Sequence, residues 1–199
     1  MPSKLTKDFY LQTDVVSVAK QLLGKSLFTK IEGKTCKAII TETEAYNGII
    51  DKASHAYGNR NTPRTSTMYL EGGVAYIYLC YGIHHLFNVV THLEGVPHAV
   101  LIRAIEPIKG MEHMLQRRNR TKVDRILSSG PGKLSKAIGI NTSYNGEHLT
   151  GNKIWIEDAT PIPKKNIIIT TRIGVDYAAE DALLPYRFYI KGNKFVSKL

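Results

Sequence analysis

Cysteine is scarce: the 199 residues contain two, Cys36 and Cys80, each in a strand-like apolar run and neither in a CxxC or CxxxH neighbourhood. That argues against a disulfide framework and a zinc knuckle and fits a reducing compartment, so a cytoplasmic location is expected. Long apolar runs are missing too. No stretch reaches membrane-spanning length, and Met1 to Tyr10 lacks the apolar segment of a secretory leader, so no membrane association is expected. Acidic residues are the minority, 17 against 27 lysines and arginines, and the resulting charge of +10 favours a polyanionic partner. There is no internal repeat and no low-complexity linker. His55, His84, His85, His92 and His98 are too scattered for metal-ligand spacing, and the His-x-Glu with Pro-Cys-x-x-Cys pattern of zinc deaminases is absent. Neither a metal nor another cofactor is expected.

What is present suffices for one core. With 43% hydrophobic residues, positions 1–199 are expected to form a single domain. Asp14 precedes a helical stripe of Val15, Val16, Ala19, Leu22 and Leu23 that Gly24 ends. Ser26 to Ile31 and Cys36 to Glu44 read as strands around a turn at Gly33, which puts Glu44 at a strand exit. Gly48 to Tyr69 is polar and reads as loop, with at most a helical turn around Asp51 to His55. Two strands lie between Val74 and Val90, broken at Tyr81 and Gly82, and another runs from His98 to Ile105. Helical patterns cover Met111 to Asn119 and Val123 to Ser128, with a basic cluster at Arg117, Arg118, Arg120, Lys122 and Arg125. Ser129 to Lys133 opens an amphipathic turn through Leu134, Ala137 and Ile138; strands follow at Ile154 to Ile156, Ile167 to Ile173 and Arg187 to Ile190. Helices and strands do not alternate regularly. The expected fold is therefore α+β: a mixed, mainly antiparallel curved sheet with flanking helices and a protruding β-hairpin.

The polar residues set in apolar strands carry the chemistry. Asn88 and Arg103 must find partners there or destabilise the fold. Arg103 either neutralises a buried carboxylate such as Glu106 or Glu44, or serves a site. Strict alternation gives Glu42 and Glu44 one face, so one can be structural while the other faces a cleft, and the pattern does not say which. Tyr76 reads as packing. Tyr81, at a hairpin tip beside glycine, has little core to enter and suits insertion into a partner. Gly130-Pro131-Gly132-Lys133 is not a P-loop, because its glycines stand one residue apart and no Ser or Thr follows the lysine. The helix it opens can still offer backbone N–H groups to one phosphate. Two other classes fit parts of this pattern: a non-enzymatic nucleic-acid-binding module, and a metal-dependent phosphoesterase using Glu42, Glu44, Asp51 and His55.

Taken in order, Glu42-Thr43-Glu44-Ala45-Tyr46, His55, Thr62-Pro63-Arg64, Tyr76 to Gly82, Asn88 and Leu101 to Pro107 resemble the alkyladenine (3-methyladenine) DNA glycosylase family. The resemblance continues through Ser129 to Leu134, Arg172 to Val175 and Arg187-Phe188-Tyr189, so it covers most of the chain. It implies a monofunctional base-excision repair enzyme acting, as a monomer, on double-stranded DNA that contains a damaged purine. The base would be flipped out and its N-glycosidic bond hydrolysed to leave an abasic site. By that likeness Glu44 is the general base, and Arg103 with the carbonyl of Ile173 holds the attacking water. Tyr46 stacks on one side of the base and His55 with Tyr78 on the other. Asn88 gates against the amino group of guanine, Tyr81 fills the gap in the duplex, and Gly130 and Lys133 bind a phosphate. His84 and His85 depart from the pattern, standing where relatives carry larger aromatics, and the loop from Thr91 to His98 is slightly longer.

An alkylated purine is cationic, so electron-rich tyrosine faces attract it. Its glycosidic bond is already weak, and one carboxylate that activates water beside an oxocarbenium-like centre is then enough. A neutral lesion such as hypoxanthine needs a hydrogen bond instead, which His55 can make.

Overall fold

Asp14 starts the first long helix as its side chain dictates. In the computed structural model, which describes residues 3–198, a single turn α1 (Lys7–Tyr10) is followed by α2 (Val15–Leu22). The Asp14 carboxylate accepts from the Val16 N–H, and Val15, Val18, Ala19 and Leu22 form one buried stripe; such a cap contributes about 1 kcal/mol. The strands β1 (Ser26–Ile31), β2 (Lys34–Asn47), β3 (Ala75–Cys80), β4 (His84–Thr91) and β5 (His98–Lys109) come next. The helices α3 (Met111–Arg118), α4 (Arg125–Ser128) and α5 (Pro131–Ile138) then precede β6 (Ile154–Glu157), β7 (Ile167–Thr170) and β8 (Arg187–Ile190).

All eight strands join one sheet in the order β3-β4-β5-β2-β1-β6, with β8 also on β2 and β7 on β8. Every pairing among the described residues is antiparallel. β2 runs past its expected end because it is paired along its whole length. β5 takes one edge, while β1 and then β8 share the other, so that Glu44 faces Leu101 on one side and Arg187 on the other. Glu44 is therefore interior to a strand and not at its exit. The Gly48 to Tyr69 stretch is loop, but its helical turns are 3-10 turns at Gly48–Ile50, Tyr57–Asn59 and Ser66–Tyr69, flanking the expected position. β7 ends at Thr170, before Ile173.

The decisive local feature is a bulge. The β2–β5 register shifts between Ile40 and Glu42 and again before Thr43. A one-residue slip exchanges the faces of a strand. Ala38 and Ile40 belong to the main core before the slip, and Ala45 belongs to it afterwards, while Thr43 donates its hydroxyl to the Ala19 carbonyl of α2. Glu42, Glu44 and Tyr46 are thereby turned to the opposite side. The main core lies between the sheet and the helices around Leu22, Phe87, Val100, Ile102, Met114, Leu134 and Phe188. Each such fully buried side chain contributes roughly 1.5–3 kcal/mol. Two smaller clusters, one around Met68, Val74 and Tyr76 and one of Ala53, Val175 and Ala178, sit apart from it. Tyr78 packs on the first and Tyr46 on the second. No helix among the described residues is long and apolar enough to cross a membrane.

Candidate active site

Two carboxylates with no solvent exposure, Glu42 and Glu44, flank the Arg103 guanidinium. Arg103 donates from Nε to Glu42 Oε1 and from Nη1 to Glu44 Oε2, both at 3.2 Å. Glu42 Oε1 also accepts from Arg187 Nε at 2.7 Å and from the Ser197 hydroxyl at 2.8 Å, and its Oε2 accepts from the Ser197 N–H at 2.6 Å. Two anions thus meet two cations, and the buried charge balances. Burial opposes the Arg103 charge, but Glu44 and then Glu42 more than offset it and hold the guanidinium above its usual pKa. Sequence reading left open which glutamate is structural. Both share Arg103, but the other partners of Glu42, Arg187 and Ser197, lie outside the groove lining, whereas those of Glu44 line it: Oε1 accepts from the Ile173 N–H at 2.8 Å and Oε2 from the Tyr46 hydroxyl at 2.9 Å.

A groove of about 720 Å³ is lined by Tyr46, His55, Tyr78, Tyr81, Arg103, Gly130, Lys133 and Ile173. Its volume lies in the range of small-ligand sites. Asn88 lines an adjoining inner recess of about 40 Å³ that shares Tyr46, His55 and Tyr78 with the groove. Glu44 lies behind the wall that Tyr46, Arg103 and Ile173 form. All ten residues singled out from the sequence therefore converge on one place. Ile173 reaches Glu44 through its N–H.

Tyr78 packs edge-on to His55 with ring centroids 4.5 Å apart, and the His55 Nδ1 meets the Tyr76 hydroxyl at 2.9 Å. Burial, with help from Arg64 and Arg60, pushes the His55 pKa down to about 4, so the ring is neutral at pH 7. Burial pushes the Tyr76 hydroxyl up to about 12 and raises Tyr46 well above its usual value, Glu44 adding to the effect at Tyr46. All these phenols stay protonated. Asn88 spends its donors on the Tyr76 and Leu86 carbonyls, at 3.1 and 3.4 Å, which leaves Oδ1 to meet a ligand.

At the far end of the groove, Tyr81 and Gly82 make the hairpin tip. Both have positive φ, 51° and 71°, as the central residues of a primed turn require, the Ile83 N–H donates to the Cys80 carbonyl at 3.2 Å, and the Cys80–His84 pair closes the loop behind Ile83. The Tyr81 ring is 90% exposed, so no packing within this chain explains it. Across the groove α5 begins at Pro131. A Cβ on Gly132 would come within 2.8 Å of the His84 ring, so glycine is what lets the hairpin close on the helix start. The Gly130 N–H donates to the Arg103 carbonyl at 2.9 Å, tying this end to β5.

Five residues have places at the site that the sequence pattern does not assign to them. Tyr76 is core and also the partner of His55. Arg64 lies 5.2 Å from the Tyr78 ring centroid, and the exposed Tyr177 donates its hydroxyl to the Ala53 carbonyl. Arg172 and Asp51 form a buried ion pair beside Tyr46; Arg64, Tyr76 and Arg172 stand in the quoted motifs without a role of their own, Asp51 only in the phosphoesterase alternative, and Tyr177 in neither. The basic cluster is mostly structural: Arg117, Arg118 and Arg125 donate to backbone carbonyls and Arg120 pairs with Asp124.

Comparison with known proteins gives a consistent result. A family model described as Methylpurine-DNA glycosylase (MPG) matches residues 8–194. A Chlamydia felis protein is 50% identical over 96% of this chain and 97% of its own length. Relatives in Desulfitobacterium hafniense, 44% identical, and Clostridium perfringens, 45% identical, each match 98% of this chain and at least 98% of their own. All three carry 3-methyladenine DNA glycosylase as a provisional name.

Proposed function

The chain belongs to the methylpurine-DNA glycosylase family, and from that premise we propose that its groove receives an alkylated purine flipped out of duplex DNA and that Glu44 activates the water that releases it. Membership makes the protein a DNA glycosylase, a hydrolase of N-glycosyl bonds acting on DNA in base-excision repair. The observation that carries the finer reading is the position of Glu44: a buried carboxylate bonded to three residues that line an aromatic groove.

The chemistry follows from the charges. A methylated purine cation stacks between Tyr46 and the Tyr78 and His55 rings, gaining about 0.5–2 kcal/mol per favourable cation–π contact. Water then attacks the sugar C1′ as the C1′–N bond breaks. The bonding electrons leave with the purine, which departs neutral, and the water proton passes to Glu44. The Glu44 charge also steadies the oxocarbenium-like centre, and Arg103 and Ile173 hold the water between them. An abasic site remains. Asn88 crowds the amino group of an undamaged guanine, Tyr81 occupies the vacated stack, and Lys133 with the α5 N-terminus takes a phosphate. Deaminated purines are admitted through a hydrogen bond to neutral His55.

Replacing Glu44 by Gln tests this. We expect release of free base from methylated duplex DNA to fall by about a thousandfold or more while DNA binding persists. Unchanged turnover would remove Glu44 from the mechanism.

A further inference from the structure

The Arg172–Asp51 pair has no part in the chemistry above, yet it is the most enclosed charge pair in the molecule's described residues, with side chains 0% and 1% exposed. Arg172 grips Asp51 with both terminal nitrogens, at 2.5 and 2.9 Å. It also donates to the carbonyls of Ala45 and Asp181, each at 3.0 Å. Asp51 in turn accepts the backbone N–H groups of Asn47 and Ala53, each at 3.0 Å. One ion pair thus joins the end of β2, the loop leading to His55 and the segment after β7.

Its placement against the site is specific. The guanidinium carbon lies 4.9 Å from the Tyr46 ring centroid and 5.3 Å from that of Tyr186. The next residue is Ile173, whose N–H holds Glu44. Apolar packing does little of this work, because the cluster under Tyr46 has only Ala53, Val175 and Ala178 as buried members. Tyr46 and Ile173 each hold Glu44 by one hydrogen bond, and Arg172 is the charged group that backs the ring of the first and directly precedes the second.

We propose that Arg172, clamped by Asp51, is the positioning residue that fixes the base platform Tyr46 and the Ile173 N–H in one frame with Glu44. The inference rests on the glycosylase reading of the site. It makes Arg172 matter to the rate of bond cleavage and not to the grip on DNA, because the proposed duplex contacts, Tyr81 and Lys133, stand elsewhere on the groove. Lysine is no substitute, since an ammonium cannot bridge a carboxylate and two carbonyls in one plane.

The test is single-turnover release of 7-methylguanine from a duplex oligonucleotide by wild type, Arg172→Lys and Asp51→Asn, measured across protein concentration. Asp51→Asn keeps the shape of the clamp and guards against a lysine variant that fails to fold. A displacement near 1 Å at reacting groups is worth up to about a hundredfold. We expect the maximal rate to fall by about ten- to a hundredfold in a folded variant, with the half-saturating protein concentration little changed. A wild-type maximal rate in either folded variant would overturn the inference and leave the function intact. So would a loss confined to DNA affinity. Absence of product from wild type would overturn the glycosylase reading and this inference with it.

Discussion

Glu44 and Tyr46 lie two residues apart on β2, and the phenol donates to the carboxylate at 2.9 Å. The ring proposed to carry the base and the group proposed to activate water are therefore one mechanical unit. Strand alternation sets both on the same side, the β2 bulge before them turns that side away from the main core, and β5 and β8 lock the strand from its two edges.

The first prediction concerns that hydroxyl. Tyr46→Phe keeps the ring and removes the donor, leaving Glu44 Oε2 with Arg103 alone. A hydrogen bond to a charged group is worth about 1.5–3 kcal/mol, and we expect single-turnover excision to drop by about tenfold or more with base affinity largely kept. A rate equal to wild type would show that the hydroxyl does not orient Glu44.

A second prediction follows from Glu42. Its carboxylate collects Arg103, Arg187 and Ser197, so Glu42→Ala leaves two buried guanidinium groups short of a counter-charge. Removing one member of a buried pair costs about 3–5 kcal/mol. The urea midpoint should fall accordingly, and Glu42→Gln should recover part of the loss. A stability change below about 1 kcal/mol in the alanine variant would refute the anchoring role.

How much of this could be read from the chain differs residue by residue. Asp14 and Gly24 marked a helix because capping is local, and Tyr81-Gly82 marked a hairpin because positive φ is a local demand. Asn88 and Arg103 stood out because a polar group in an apolar strand needs a partner. The bulge was not legible: it depends on where β5 lies against β2, and strict alternation would have kept Glu42 and Glu44 on the face of Ile40. Nor was the partnership of Arg172 with Asp51, separated by 121 positions, since nothing in either neighbourhood names the other. Tyr76 was read as packing because burial and a hydroxyl bond to His55 leave the same mark on a strand pattern.

The third prediction is a pH dependence. His55 and His98 both have pKa values lowered to about 4, His55 by burial and Arg64, His98 by burial and His92. An unfolded histidine takes its proton near pH 6.5, so between about 6.5 and 4 the unfolded chain binds more protons than the folded one. Stability is whole above that window and is lost as pH falls through it, with His55 accounting for up to about 3 kcal/mol. Urea midpoints at pH 7 and pH 4.5 should differ, and His55→Gln should narrow the difference. An equal difference in both proteins would rule out His55 as a source.

The last prediction separates the two ends of the groove. Tyr81 is exposed and touches little, so Tyr81→Ala should leave stability within about 0.5 kcal/mol of wild type. It should lower excision more than it lowers affinity for undamaged duplex, because filling the vacated stack matters only once a base has left it. Lys133 is exposed at the start of α5, where a cation and free N–H groups meet an anion, and Lys133→Ala should weaken binding to damaged and undamaged duplex alike. Each phosphate neutralised steepens the log–log salt dependence by about 0.9. Titrating both variants over a range of salt concentrations distinguishes the roles: the slope should shrink by about one unit for Lys133→Ala and stay at the wild-type value for Tyr81→Ala. Equal slopes for wild type and Lys133→Ala would take the phosphate contact away from Lys133.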